Sequence, residues 1–182
     1  MIAAISTAVP HNIAMGWNMI SSYTMPAVPN MESVFGPIVS SIDIVKDGAG
    51  ISYIPAVPLN GIGNWDLLKG YQVKANKTDI LLISGQKAVP ETTPIPLFTG
   101  WQIISYLRDT PQNIATVFAP IQGQIRLVKD NAGHIYTPLF GGINSIGDMQ
   151  PGQGYKVNAV SNTTLLYQAN FTNAMVERSE NA

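Results

Sequence analysis

The chain has no cysteine among its 182 residues. That absence removes thiolate catalysis, disulfide bracing and cysteine-ligated metal from consideration. Charge is scarce as well: 12% of the residues are Asp, Glu, Lys or Arg, and the net charge is −1. Nucleic-acid partners call for basic stripes that neutralise phosphates, so none is expected. A cationic membrane-surface helix is set aside on the same ground. No window approaches the roughly 18 apolar residues of a membrane span. The opening residues have neither the basic segment nor the apolar run of a signal peptide. Histidine is limited to His11 and His134, at unrelated positions and without a partner at metal-ligand spacing. Ser21 and Ser105 repeat but lie in no Gly-x-Ser-x-Gly elbow, and phosphate loops and dinucleotide fingerprints are missing. No catalytic residue, metal or cofactor is therefore expected.

What the chain does have is apolar residues (46%), 16 glycines and 13 prolines. It can bury a core without staples, and its composition reads as β-rich and turn-rich. It also has a period. Gly16-Trp17-Asn18-Met19-Ile20-Ser21 returns as Gly100-Trp101-Gln102-Ile103-Ile104-Ser105, and 101 − 17 = 84 residues separate the tryptophans. Gly70-Tyr71-Gln72-Val73 returns as Gly154-Tyr155-Lys156-Val157 at the same spacing. A fixed period settles the organisation first. The expected division is a loose lead-in over 1–11, repeat 1 over 12–85, a Pro-stiffened joint over 86–94, repeat 2 over 95–169 and a tail over 170–182. The two repeats should pack as one compact, pseudo-twofold domain.

Within each repeat, an Asn precedes an apolar stripe at helical spacing: Asn30 before Met31, Val34, Phe35 and Ile38, and Asn113 before Ile114, Val117, Phe118 and Ile121. Asn caps a helix by accepting an orphan backbone N–H, and Pro37 and Pro120 then stop it. Each repeat should carry one short helix laid on a sheet. Strands are expected at 42–45 and 125–128, entering hairpin turns at Lys46-Asp47-Gly48-Ala49-Gly50 and Lys129-Asp130-Asn131-Ala132-Gly133. Further strands follow the turns and both Gly-Tyr landmarks. The class is mainly β with a minor helical part.

Trp17 and Trp101, in strands that look apolar on both faces, are expected as buried anchors of each repeat, together with Phe35 and Phe118. Tyr71 and Tyr155 are expected in the core, with hydroxyls bonded at the rim. Tyr53, Trp65 and Tyr136 adjoin irregular Gly/Pro loops and are the preferred candidates for an exposed ligand surface. Against that stands the plainer reading that they cap turns. The repeated Lys46-Asp47 and Lys129-Asp130 read as turn chemistry, in which Asp bonds nearby backbone. Asn76-Lys77-Thr78, Asn162-Thr163-Thr164 and Asn170-Phe171-Thr172 match the N-glycosylation pattern, two of them in corresponding turns.

The Gly-Trp-Asn-Met-Ile-Ser, Val-Lys-Asp-Gly-Ala-Gly, Ile-Gly-Asn-Trp and Gly-Tyr-Gln-Val segments together resemble a tandem module of Bacteroidetes secreted and cell-surface proteins. In that module Gly-Trp-Asn-Leu-Ile-Ser opens a unit and Gly-Tyr closes it. The resemblance covers nearly all of 12–169 and brings no catalytic activity. It implies a secreted or surface-anchored multidomain parent, of which this chain is an accessory piece with its polar tail entering a linker. One departure is visible: related units carry Tyr-Trp-Pro after the hairpin, whereas Tyr53-Ile54-Pro55 and Tyr136-Thr137-Pro138 stand here. The functional expectation is a non-catalytic module for adhesion, presentation or spacing, its partners a glycan, another surface protein or neighbouring domains of the parent. A carbohydrate-binding module using loop aromatics is the alternative, and a hydrolase with an unrecognised site is a distant third.

Overall fold

The computed structural model describes residues 6–57, 59–139 and 141–170. Repeat 1 runs through β1 (Ser6–Ile13), β2 (Gly16–Ile20), β3 (Thr24–Pro26), α1 (Met31–Phe35), β4 (Ile42–Lys46), β5 (Ser52–Ile54), β6 (Leu59–Asn60), β7 (Tyr71–Ala75) and β8 (Asp79–Lys87). Repeat 2 runs through β9 (Ile95–Leu97), β10 (Gly100–Ser105), β11 (Gln112–Asn113), α2 (Ile114–Phe118), β12 (Ile125–Lys129), β13 (Ile135–Thr137), β14 (Ile143–Asn144), β15 (Asp148–Met149), β16 (Gly154–Ala159) and β17 (Thr163–Leu165). The fold is mainly β, with one short α-helix in each half.

The five-stranded sheets of the two repeats match strand for strand. Repeat 1 forms the sheet β2-β7-β4-β5-β6 and repeat 2 forms β10-β16-β12-β13-β14. Even the irregularities recur, since a bulge lies between Ile42 and Ile44 in one sheet and between Ile125 and Leu127 in the other. Each helix begins as its cap predicts: the Asn30 side chain accepts from Glu32 N at 2.9 Å, and the Asn113 side chain from Ala115 N at 3.0 Å. After Phe35 and Phe118 the chain tightens into 3-10 turns containing Pro37 and Pro120, kinked at Ile38 and Ile121. Met31, Val34 and Phe35 bury against one sheet, and Ile114, Val117 and Phe118 against the other.

Residues 6–11 are not a loose lead-in. They belong to β1, which pairs antiparallel with β8 along its whole length, from Ser6 opposite Gln86 to Ile13 opposite Asp79. Val9, His11 and Ile13 alternate inward; Pro10 and the polar His11 hide that alternation in the sequence. Proline is admissible there because β1 is an edge strand. β8 in turn pairs with β3 on its other side, giving a three-stranded sheet that repeat 2 lacks among the described residues. The joint is correspondingly shorter than 86–94, because β8 runs to Lys87 and a 3-10 turn fills Pro90–Thr92. Residues 1–5 and the tail from 171 onward, with Phe171 and Thr172 of the Asn170-Phe171-Thr172 match, lie outside the described residues.

The two five-stranded sheets are separate but meet through their edges. Gly70 N donates to Ile103 O at 3.0 Å and Ser105 N to Leu68 O at 3.1 Å. The reciprocal contact is Ser21 N to Gly152 O at 2.9 Å. Each repeat thus pairs the residues leading into its Gly-Tyr landmark with the end of the other repeat's Gly-Trp strand, as a twofold relation requires. The landmark glycines sit at this joint. A Cβ on Gly70 would lie 2.6 Å from Ile103 Cγ2 and 3.2 Å from Gly154 Cα, and a Cβ on Gly154 would lie 2.9 Å from Ile20 O. No larger residue lets the strands approach so closely.

Candidate functional site

The aromatic expectations divide. Phe35, Phe118, Tyr71 and Tyr155 are buried, and each tyrosine hydroxyl accepts a backbone N–H at 2.7 Å, from Asp66 and Gln150 respectively. Burial raises both phenol pKa values, that of Tyr155 to about 12. The expected ligand surface is not a surface. Tyr53 and Tyr136 are 5% exposed and Trp65 is 1% exposed. The reason is packing: Phe35 lies 6.3 Å from Tyr53 and 6.4 Å from Trp65, and Phe118 lies 6.0 Å from Tyr136. The helix drawn onto each sheet covers the tyrosine of β5 or β13, and in repeat 1 the Trp65 ring as well.

Trp17 and Trp101 go the opposite way. They are 46% and 45% exposed, so they are not core anchors. Their strands are also edges of their sheets, not central members. Their polar neighbours take the other face, Asn18 buried and Gln102 half-buried. Asn18 accepts from Ala14 N at 3.0 Å and donates to Ala14 O at 2.8 Å. Gln102 does the same for Phe98, accepting from its N at 3.3 Å and donating to its O at 2.9 Å. A side-chain amide thus closes the turn before each strand, and the following glycine takes the positive φ this requires, +98° at Gly16 and +105° at Gly100. With the amide turned in, the strand's alternation turns the indole out. Lysine ammonium groups then lie over the exposed rings: Lys46 at 5.5 Å from the Trp17 centroid, and Lys129 and Lys156 at 5.7 and 5.5 Å from that of Trp101. Asp47 and Asp130 do the turn work expected of them, accepting from Ile51 N at 2.9 Å and His134 N at 2.8 Å.

Beside each tryptophan strand runs a cleft at the boundary between repeats. The hairpin turn of repeat 2 overhangs β2, where Asn131 donates to Trp17 O at 3.3 Å, and encloses about 250 Å³ with Asn12, Asn18 and Gln153. The hairpin turn of repeat 1 overhangs β10 and encloses about 280 Å³ with Asp66, Lys69, Phe98 and Trp101. These are equivalent places with different chemistry. His11 and Asn12 of the first are replaced by Ile95 and Pro96 in the second, where Phe98, at the position of Ala14 in repeat 1, is added to the lining; the second cleft is the apolar one.

Two repeated serines meet at the same boundary. Ser21 and Ser105 are fully buried, with Ser21 Oγ donating to Gln153 O at 2.6 Å and Ser105 Oγ to Ser22 O at 3.1 Å. His11 Nε2 lies 2.6 Å from the Ser21 carbonyl oxygen and Nδ1 lies 3.0 Å from that of Val9. The histidine therefore addresses backbone, not the Ser21 hydroxyl. Among the described residues, no three His, Asp or Glu side chains are grouped to hold a metal ion. No described helix is long and apolar enough to cross a membrane.

Burial lowers the pKa of His11 below its ordinary value of 6.5, against the pull of the neighbouring carbonyl oxygens. The unfolded chain takes up that proton near 6.5 and the folded chain at lower pH, so stability present at neutral pH is lost as pH falls. The melting temperature should drop between pH 7 and pH 5, and the drop should shrink in His11→Gln. An equal drop in both proteins would remove His11 as its source.

Compared with known families, curated proteins and solved structures, the chain matches no family model, no curated protein and no solved structure.

Proposed function

We propose that the chain is a non-catalytic accessory module of a secreted or surface-anchored multidomain protein, working in adhesion or presentation through its tryptophan faces. One observation carries this reading: Trp17 and Trp101, at the same position of both repeats, are held about half exposed by amide-closed turns. A large ring held in water gains little from folding, and exposed apolar surface of this kind marks interaction sites. Tryptophan is also the side chain that most often anchors an interface. The resemblance to the Gly-Trp-Asn-Leu-Ile-Ser modules of Bacteroidetes surface proteins supports the extracellular setting and a longer parent.

The test is retention of the purified chain on immobilised cell-envelope material from Bacteroidetes cells, compared with the Trp17→Ala/Trp101→Ala double variant. Retention should fall about ten-fold. Because both rings are on the surface, each substitution should change stability by less than about 1 kcal/mol. Equal retention, with both proteins folded, counts against the reading.

A further inference from the structure

We propose that the apolar cleft between the repeat 1 hairpin turn and β10 is a saccharide site, in which a pyranose ring lies against Trp101 and Phe98. This rests on the binding role proposed above and names its ligand class. Of the two equivalent clefts, this one alone has a second exposed ring, because Phe98 stands where repeat 1 has Ala14. Phe98 is 62% exposed, yet its backbone is fixed by the two Gln102 hydrogen bonds. The adjoining Thr99 N donates to Asn162 at 3.0 Å. The ring is thus presented by a pinned turn, and a pre-organised ring loses little freedom on binding.

The remaining walls select among ligands. Asp47 and Asp66 line the cleft. Their Oδ1 atoms accept backbone N–H groups, Ala49 and Ile51 for Asp47 and Leu68 for Asp66, which hold the carboxylates in place. A carboxylate offers about four lone-pair sites, so each keeps acceptor capacity for hydroxyl donors. Lys69 lies 3.4 Å from Asp66 and adds a donor. An apolar floor with polar groups of both kinds on its rim matches the two-sided character of a sugar ring, with its apolar C–H face and its belt of hydroxyls.

Other occupants fit less well. A lipid chain gains nothing from two carboxylates. A cationic peptide meets three ammonium groups, Lys69 in the cleft and Lys129 and Lys156 over Trp101. A peptide adding as a strand finds this end of the β10 edge already paired with Leu68 and Gly70. The volume, about 280 Å³, lies near the lower end for small-molecule sites, which suits one or two rings at a chain end.

The experiment is calorimetric titration of the whole chain with a panel of neutral and uronic-acid oligosaccharides, followed in parallel by the three tryptophan indole N–H signals in NMR. At least one sugar should bind more tightly than about 1 mM and shift the Trp101 signal. Trp101→Ala and Phe98→Ala, both surface changes, should each weaken binding about ten-fold, while Val39→Ala, at an exposed position outside the cleft, leaves it unchanged. The proposal is overturned if no sugar in the panel binds, or if both cleft variants bind as the parent does. Should that happen while envelope retention still depends on the tryptophans, the saccharide assignment alone falls. If retention is also insensitive to them, the binding role falls too.

Discussion

Trp65→Ala lowers the stability of the chain by about 3–5 kcal/mol, the range for emptying a large aromatic site in a core. Trp65 is 1% exposed and lies 4.6 Å from Tyr71 and 6.4 Å from Phe35. It has no ring counterpart, because Met149 stands at the equivalent position of repeat 2. Repeat 2 fills the place beside its own landmark tyrosine in another way. Tyr106 packs 6.4 Å from Tyr155 and 5.3 Å from Tyr167, where repeat 1 has the small Ser22. Each repeat therefore has one large ring against its Gly-Tyr tyrosine, supplied from a different element. Trp65→Phe should cost less than half as much as Trp65→Ala. It keeps a ring in place and deletes an indole N–H that is buried without a hydrogen-bond partner. Urea denaturation of the three proteins decides this. A loss below about 1 kcal/mol in Trp65→Ala would return Trp65 to the list of surface candidates.

The contrast between Trp65 and Trp17 shows where the sequence was legible. The period shows on direct comparison of the two halves, while helix caps, hairpin turns and the strands entering them depend on neighbours within a few residues, and these could be read. The direction of Trp17 could not be read from apolarity alone, because the strand turns its amide inward. Asn18 is 7% exposed and bonds Ala14, four residues back. The signal that existed was the amide itself, which follows Gly-Trp in both repeats as Asn18 and Gln102. Pro10 on the outer face and the polar His11 on the inner one also concealed β1, whose partner β8 lies some 70 residues away in sequence. The candidate clefts were out of reach for the same reason. They form where the turn of one repeat crosses the strand of the other, as with Asn131 over Trp17, 114 residues apart.

That crossing makes the landmark glycines the sharpest test of the joint. Gly70→Ala and Gly154→Ala should each cost about 1–3 kcal/mol, the usual penalty for overpacking. For a chain of this length that is a fall of roughly 2–4 °C in melting temperature for each kcal/mol. The opposing atoms include backbone, Ile104 O at 2.8 Å from a Cβ on Gly70 and Ile20 O at 2.9 Å from a Cβ on Gly154, so rotamer changes cannot relieve the clash. Gly123→Ala supplies the control, since a Cβ there meets nothing within 4 Å, and it should shift stability by less than about 0.5 kcal/mol. The double variant is the informative one. The Gly70 and Gly154 sites adjoin, with 3.2 Å between a Gly70 Cβ and Gly154 Cα, so strands already forced apart by one methyl accommodate the second more cheaply. The combined loss should fall short of the sum by more than about 0.5 kcal/mol. Simple additivity would mean that the two Gly-Tyr segments do not share one joint. Because both clefts border these strands, Gly70→Ala should also weaken any ligand seated against β10, while leaving the distant helix cap at Asn113 intact.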